Sequence, residues 1–147
     1  ADRVVINQLA VGRDGPFPPH DQGRTATHEV GHFLGLFHPY YNGCGTATAP
    51  GCYSTGDLLC DTPPDDTSHH DCPVGTTSCG GVPIPVENYM ELTDDLCMTG
   101  FTLEQVRRMR CTLEHYRPNL TEIGMLTDVF HDGFETGTTS AWSSQVP

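Results

Sequence analysis

The chain has 147 residues, 36% of them hydrophobic and 18% charged, which suits one modest domain with a real core. No apolar run approaches the roughly 18 residues of a membrane helix. Seven basic residues against 19 acidic ones give a formal charge of -12 and exclude a nucleic-acid groove built on counterion release. All seven basic residues are arginine (Arg3, Arg13, Arg24, Arg107, Arg108, Arg110, Arg117), a pattern that fits an acidic secreted protein.

Ala1 to Leu9 lacks a basic head followed by an apolar core, so no signal peptide is expected there and the sequence reads as mature or excised. Val4-Val5-Ile6 predicts a short buried strand, and Gly12 to Pro19, rich in proline and glycine, predicts a loop. A helix is expected from Arg24 to Leu34, with Asp21 as N-cap and with Ala26, Val30, Phe33 and Leu34 on one face. Gly35 should end it, because glycine tolerates the left-handed turn at a helix C-terminus.

From Tyr40 to Val86 there is little periodicity and much Gly, Pro, Asp, Thr and Cys. A loop of that length needs staples, so Cys44, Cys52, Cys60, Cys72, Cys79 and Cys97, which lack paired CxxC spacing, read as bridges formed in an oxidising compartment. Cys111 makes the count odd and predicts one free thiol, or one paired outside this chain. His69-His70, beside Asp65, Asp66 and Asp71, reads as a solvated turn, while His20, His115 and His131 have no partner pattern.

A second helix is signalled by the capping box Thr102-Leu103-Glu104-Gln105 and should run to about Tyr116, closed by Pro118. Its expected inward stripe is Leu103, Val106, Met109, Leu113 and Tyr116, with Arg107, Arg108 and Glu114 facing water. Residues 119–147 read as a tail or a linker to a further module. They hold a glycosylation acceptor pattern at Asn119-Leu120-Thr121 and a Thr- and Ser-rich stretch from Thr136 to Ser144.

The segment that carries chemistry is His28-Glu29-Val30-Gly31-His32-Phe33-Leu34-Gly35-Leu36-Phe37-His38. Residues four apart share a helix face, so His28 and His32 can present two imidazoles to one metal ion. Gly35 lets the chain turn so that His38 returns as a third ligand, which leaves one position open, as in catalytic zinc sites. Glu29 can then reach a water at that position as general base. Three His, one Glu and one Gly at these offsets arise by chance in roughly one sequence in 10^4. The reaction this predicts is amide hydrolysis through an activated water, since no GxSxG elbow is present and the cysteines belong to the bridges.

HEVGHFLGLFH resembles the long zinc signature of the metzincin metallopeptidases. Asn88-Tyr89-Met90 with Thr93 to Met98 and Phe101-Thr102 is similar to the Met-turn region of their pappalysin (cytophagalysin, ulilysin-like) branch. Gly43-Cys44, Gly56-Asp57, Asp61-Thr62-Pro63, Cys72-Pro73, Ser78-Cys79 and Pro85-Val86 extend the likeness over about residues 4–117. The resemblance implies an α+β metzincin catalytic domain over residues 1–118, apparently its C-terminal half: zinc helix, disulfide-stapled loops, Met-turn and C-terminal helix.

It further implies zinc on His28, His32 and His38, Glu29 as base, Met90 packing beneath the zinc, bridges Cys44–Cys79 and Cys72–Cys97, and calcium on Asp57 and Thr62. A plain solvated turn is the alternative for those last two residues, and Cys52 with Cys60 remain as an extra local pair. Leu92 departs from the branch, which usually has a tyrosine there whose hydroxyl assists near the zinc. Only 27 residues precede His28, fewer than the sheet and edge strand of a metzincin occupy, so the missing N-terminal half is an expected partner.

The reading is therefore a secreted zinc endopeptidase acting on proteins or peptides, with no nucleic-acid or membrane partner. The rival is a non-catalytic, zinc-binding, disulfide-stapled fragment or interaction module; a purely structural extracellular module is a third reading. Asp94 and Asp95 could line a primed-side pocket and favour a basic residue, though Leu96 is equally near and apolar.

Overall fold

A computed structural model describes residues 3–122. The expectations for His131, for Thr136 to Ser144 and for the rest of the 119–147 tail beyond Glu122 lie outside them. The described elements are helix α1 (Arg24–Phe33), a two-stranded antiparallel hairpin of β1 (Thr77–Ser78) and β2 (Val82–Pro83), helix α2 (Leu103–Cys111) and short helix α3 (Pro118–Glu122). A wider turn, Thr112–Tyr116, carries α2 on to the predicted end.

α1 begins where expected, but its N-cap is Gly23, at φ +77°, with no side-chain cap of its own. The predicted cap Asp21 instead accepts from the Gln22 side chain (3.1 Å). The open amides of the first turn are met from far along the chain: Asp95 Oδ2 accepts from Gln22 N (3.0 Å) and Arg24 N (2.9 Å). At the other end Gly35, at φ +89°, makes the predicted left-handed turn, and its N–H donates to His32 O (2.9 Å).

Val4-Val5-Ile6 forms no strand. No segment among the described residues pairs with it, and Val5 is 71% exposed, so the apolar run has neither ladder nor cover.

The stretch from Tyr40 to Val86 is as loop-rich as expected, and its order comes from covalent staples. Disulfides join Cys44 to Cys79, Cys72 to Cys97 and Cys52 to Cys60, while Cys111 is free and exposed. The core beneath is small: Leu36, Leu59 and Met90, with Phe101 and Met109 packed against them.

The capping box of α2 is present in both directions, Gln105 N donating to Thr102 Oγ1 (3.2 Å) and Thr102 N to Gln105 Oε1 (2.8 Å). The inward stripe differs from the expected one, since Leu103, Val106 and Tyr116 are exposed whereas Gln105 is fully buried. The reason is a polar contact that hydrophobic periodicity cannot register. Gln105 and Asn88 exchange reciprocal amide hydrogen bonds of 3.0 and 3.1 Å, and Asn88 Oδ1 also accepts from Met90 N (2.9 Å). Arg108, expected to face water, is half-buried and donates to the carbonyls of Asp57 and Leu58.

Replacing Gln105 by Leu keeps the volume but strands the buried Asn88 amide, which should lower the unfolding free energy by about 2–3 kcal/mol in denaturant titrations. A variant as stable as the parent would show that the amide pair does not tie α2 to the turn carrying Met90.

Candidate metal centre and cleft

His28 and His32 lie four residues apart on α1, and the turn at Gly35 returns His38 to them, so the three Nε2 atoms stand 3.0 to 3.1 Å from one another. Their outer nitrogens explain why. His28 Nδ1 lies 2.8 Å from Tyr89 O and His32 Nδ1 lies 2.9 Å from Leu36 O. A carbonyl can only accept, so each Nδ1 carries the proton and each Nε2 presents a bare lone pair. Bare lone pairs cannot hydrogen-bond to one another. Burial first and His32 second lower the pKa of His28, and burial, then His32, then His28, push His38 down to about 4, which favours the neutral form of these two rings.

The donor set therefore fits a cation. Zinc–nitrogen bonds of about 2.0–2.1 Å at tetrahedral angles place nitrogens about 3.3 Å apart, close to the separations observed. Among the described residues, this is the one group of three or more His, Cys, Asp or Glu side chains whose ligand atoms converge on a common point.

Below the histidines sits Met90, fully buried. Its thioether approaches α1 at Gly31, where a Cβ would fall 2.4 Å from Sδ, so the helix needs glycine at that turn for the platform to reach it. His38 is braced sideways by Tyr40, whose ring stacks on it at 4.7 Å with an interplanar angle of 12°. Burial, together with Glu91 and Asp65, pushes the Tyr40 phenol up to about 12.

Glu29 lies at the junction of two cavities. One, of about 230 Å³, is lined by His28, Glu29, His20, Phe17, Leu92 and Asp95 among others; the second, of about 370 Å³, is lined by Glu29, His32, Arg3, Val5, Phe33 and Arg117 among others. Asp95 thus borders the cleft, as the sequence suggested, but Oδ2 is engaged by the start of α1 and Oδ1 lies 3.5 Å from His20 Nδ1. Asp94 does not line this cavity.

Asp57 and Thr62, expected as calcium ligands with a solvated turn as the alternative, are both buried, and Asp57 Oδ2 and Thr62 Oγ1 lie inside without completing a hydrogen bond. Burial pushes the Asp57 carboxyl up to about 6, the Leu59 amide that donates to Oδ1 (3.0 Å) offsetting part of that shift. His69, read as part of a solvated turn, has its Nε2 3.2 Å from the fully buried Asp65.

The profile of the peptidase family M43, described as pregnancy-associated plasma protein-A, matches residues 3–114. The chain belongs to this family. Relatives of the pappalysin include Extracellular metalloprotease 1 of Coccidioides posadasii, 43% identical over 114 residues that make up 77% of this chain and 38% of that protein. An extracellular metalloprotease of Verticillium alfalfae is 42% identical over 116 residues, covering 75% and 39% of the two chains. Among solved structures, mature mirolysin of Tannerella forsythia in complex with a cleaved peptide superposes with a TM-score of 0.58 at 39% identity, over 69% of this chain and 37% of that one. The fold is thus a metzincin's, and the chain spans less than two fifths of the length of these curated relatives.

One partner escaped the sequence. His20 showed no pattern there because Asp95 lies 75 positions away and reaches it only through the fold.

Replacing Gly31 by Ala should drive Cβ into Met90 and lower the unfolding free energy by about 1–3 kcal/mol, read by chemical denaturation of the metal-loaded chain. Unchanged stability would mean that Met90 has room to withdraw.

Proposed function

We propose that this chain is the zinc-binding part of a secreted endopeptidase, with His28, His32 and His38 holding the metal and Glu29 acting as general base. The observation that supports this best is the convergence of three Nε2 atoms, two of them with their outer nitrogens committed to carbonyls, next to a carboxylate that borders cavities on both sides. Bound there, zinc supplies Lewis acidity, polarising the scissile carbonyl and acidifying a coordinated water.

The protein's own groups do the rest. Glu29 takes the proton from the attacking water and passes it to the leaving amide nitrogen. Tyr89 O and Leu36 O keep two imidazoles in the tautomer a metal requires. The two cavities give an extended peptide somewhere to lie on either side of Glu29. Secretion is supported by the three disulfides and by the extracellular relatives.

The rival, a zinc-binding module without turnover, draws on one observation, that the match spans 38% of the Coccidioides relative. In that case the parts of the longer relatives outside the match complete the cleft, and the partner of this chain is such a segment.

Hydrolysis of a quenched fluorescent peptide mixture, with zinc counted in the parent and in Glu29→Ala, separates the two readings. The endopeptidase reading expects cleavage by the parent and a loss of at least about 100-fold in a variant that still holds zinc. One zinc per chain with no cleavage in either protein would leave the rival standing.

A second metal, calcium, is proposed at Asp57 and Thr62 on the strength of their unpartnered buried oxygens. Asp57 has a folded pKa of about 6 against an ordinary 3.8, so without calcium the protein should lose stability as pH rises from about 4 to about 6, when the buried carboxyl must ionise. At pH 8, calcium should raise the melting temperature of the parent and leave Asp57→Asn unmoved, and the metal-free variant should melt above the metal-free parent. An equal calcium response in both proteins rules the site out.

A further inference from the structure

We propose that His20 is a further catalytic residue, an imidazole oriented by Asp95 that donates a hydrogen bond to the substrate's carbonyl oxygen as negative charge develops there. The inference rests on the endopeptidase reading and adds to the polarisation that zinc would supply a hydrogen-bond donor that the four residues of that reading do not provide. Attack on an amide puts charge on the carbonyl oxygen, and a preorganised donor aimed at that oxygen lowers the barrier. His28 and His32 have their N–H groups committed to Tyr89 O and Leu36 O, the three Nε2 atoms face one another, and Glu29 in its basic form only accepts.

The cavity bordered by His28 and Glu29 holds few alternatives. Leu92 brings no donor, and the Thr93 hydroxyl is spent on Val86 O (2.8 Å). Asn7 and Thr25 are neutral. Apart from His28, His20 is the one side chain of that lining able to carry positive charge.

His20 is also held for the task. Its own N–H donates to Phe17 O (2.8 Å), and Asp95 N donates to Pro19 O (3.3 Å), which fixes the turn from both sides. Asp95 is itself pinned by the two amides at the start of α1. Its Oδ1 completes no hydrogen bond and lies 3.5 Å from His20 Nδ1, a distance that closes with a small ring movement once the ring is protonated. With Nδ1 turned to Asp95, Nε2 points away from it, and the His20 side chain keeps 33% of its surface open. A carboxylate orients the ring as in the catalytic dyad, but the role differs: with both nitrogens protonated, Nδ1–H serves Asp95 and Nε2–H is the donor offered to the substrate.

The test compares two ligands on the zinc-loaded full chain: a phosphinic peptide, which mimics the anionic tetrahedral state, and an N-methylated peptide of the same sequence, which mimics the ground state. His20→Ala should weaken the phosphinic peptide about 100-fold while changing the N-methylated one by less than about threefold, with zinc still at one per chain. His20→Gln, which restores a side-chain N–H, should recover part of the loss, whereas Thr25→Val should not discriminate between the two ligands. Equal weakening of both peptides by His20→Ala would assign the residue to general cleft structure and overturn the proposal. Phosphinic binding unchanged in His20→Ala overturns it too. If the parent binds no phosphinic peptide, the endopeptidase reading falls and takes this inference with it.

Discussion

The Nε2 lone pairs of His28 and His32, 3.0 Å apart, repel one another unless a cation lies between them, His38 Nε2 closes on both at 3.0 to 3.1 Å, and the rest of this structure is organised around that convergence. Two consequences follow. The imidazoles must be pre-set in one tautomer, which the carbonyls of Tyr89 and Leu36 accomplish for His28 and His32, and all three must be braced against relaxing apart. Helix α1 braces His28 and His32, and the stack on Tyr40 braces His38. Without metal these restraints oppose the repulsion and metal binding relieves it, so metal and fold are thermodynamically coupled.

The bracing is achieved with little regular structure. The hydrophobic cluster is three residues with two helpers, far too small to order a loop region of nearly fifty residues by burial. Directional and covalent links replace it. The Asn88–Gln105 amide pair joins the Met90 turn to the capping box of α2, three disulfides close the loops, and Asp95 fastens the segment after Met90 to the start of α1. Each link acts between elements distant in sequence, so the site depends on the loops at least as much as on the helix that bears its motif.

That distribution explains what could be read from the sequence. The histidines, Glu29 and the turn at Gly35 are legible because their geometry is local: a helical period and one left-handed residue place them. The capping box at Thr102 and Gln105 is legible for the same reason. The inward face of α2 was misread because apolar periodicity assumes that helices bury hydrocarbon, whereas here a glutamine is buried and Leu103 is 60% exposed. The cap of α1 was misread because a nearby aspartate was available and a distant one is used. His20 was passed over because a partner 75 residues away leaves no trace in spacing.

The net charge of -12 acquires a structural meaning from the same long-range links. Acidic proteins usually carry their surplus on the surface, yet Asp57, Asp65, Glu91 and Asp95 are all buried, and Glu91 is pushed up to about 7, chiefly by burial, with Asp65 adding to the shift. Burying carboxylates without opposing lysines is unfavourable unless something offsets it. At Asp95 the offset is the positive end of α1 and its free amides. At Asp65 and Glu91 it is the His69 ring and backbone. These partners do not satisfy every oxygen: Asp57 Oδ2, Asp65 Oδ2, Glu91 Oε2 and Asp95 Oδ1 lie buried without completing a hydrogen bond. A dication entering between the histidines meets the Nε2 lone pairs of His28 and His32, while the oxyanion of the transition state needs a hydrogen-bond donor beside it. Metal retention and transition-state stabilisation therefore make opposite electrostatic demands on one small volume, and the segment from Pro19 to Arg24, tied at both ends to Asp95, is where the protein is built to meet the second.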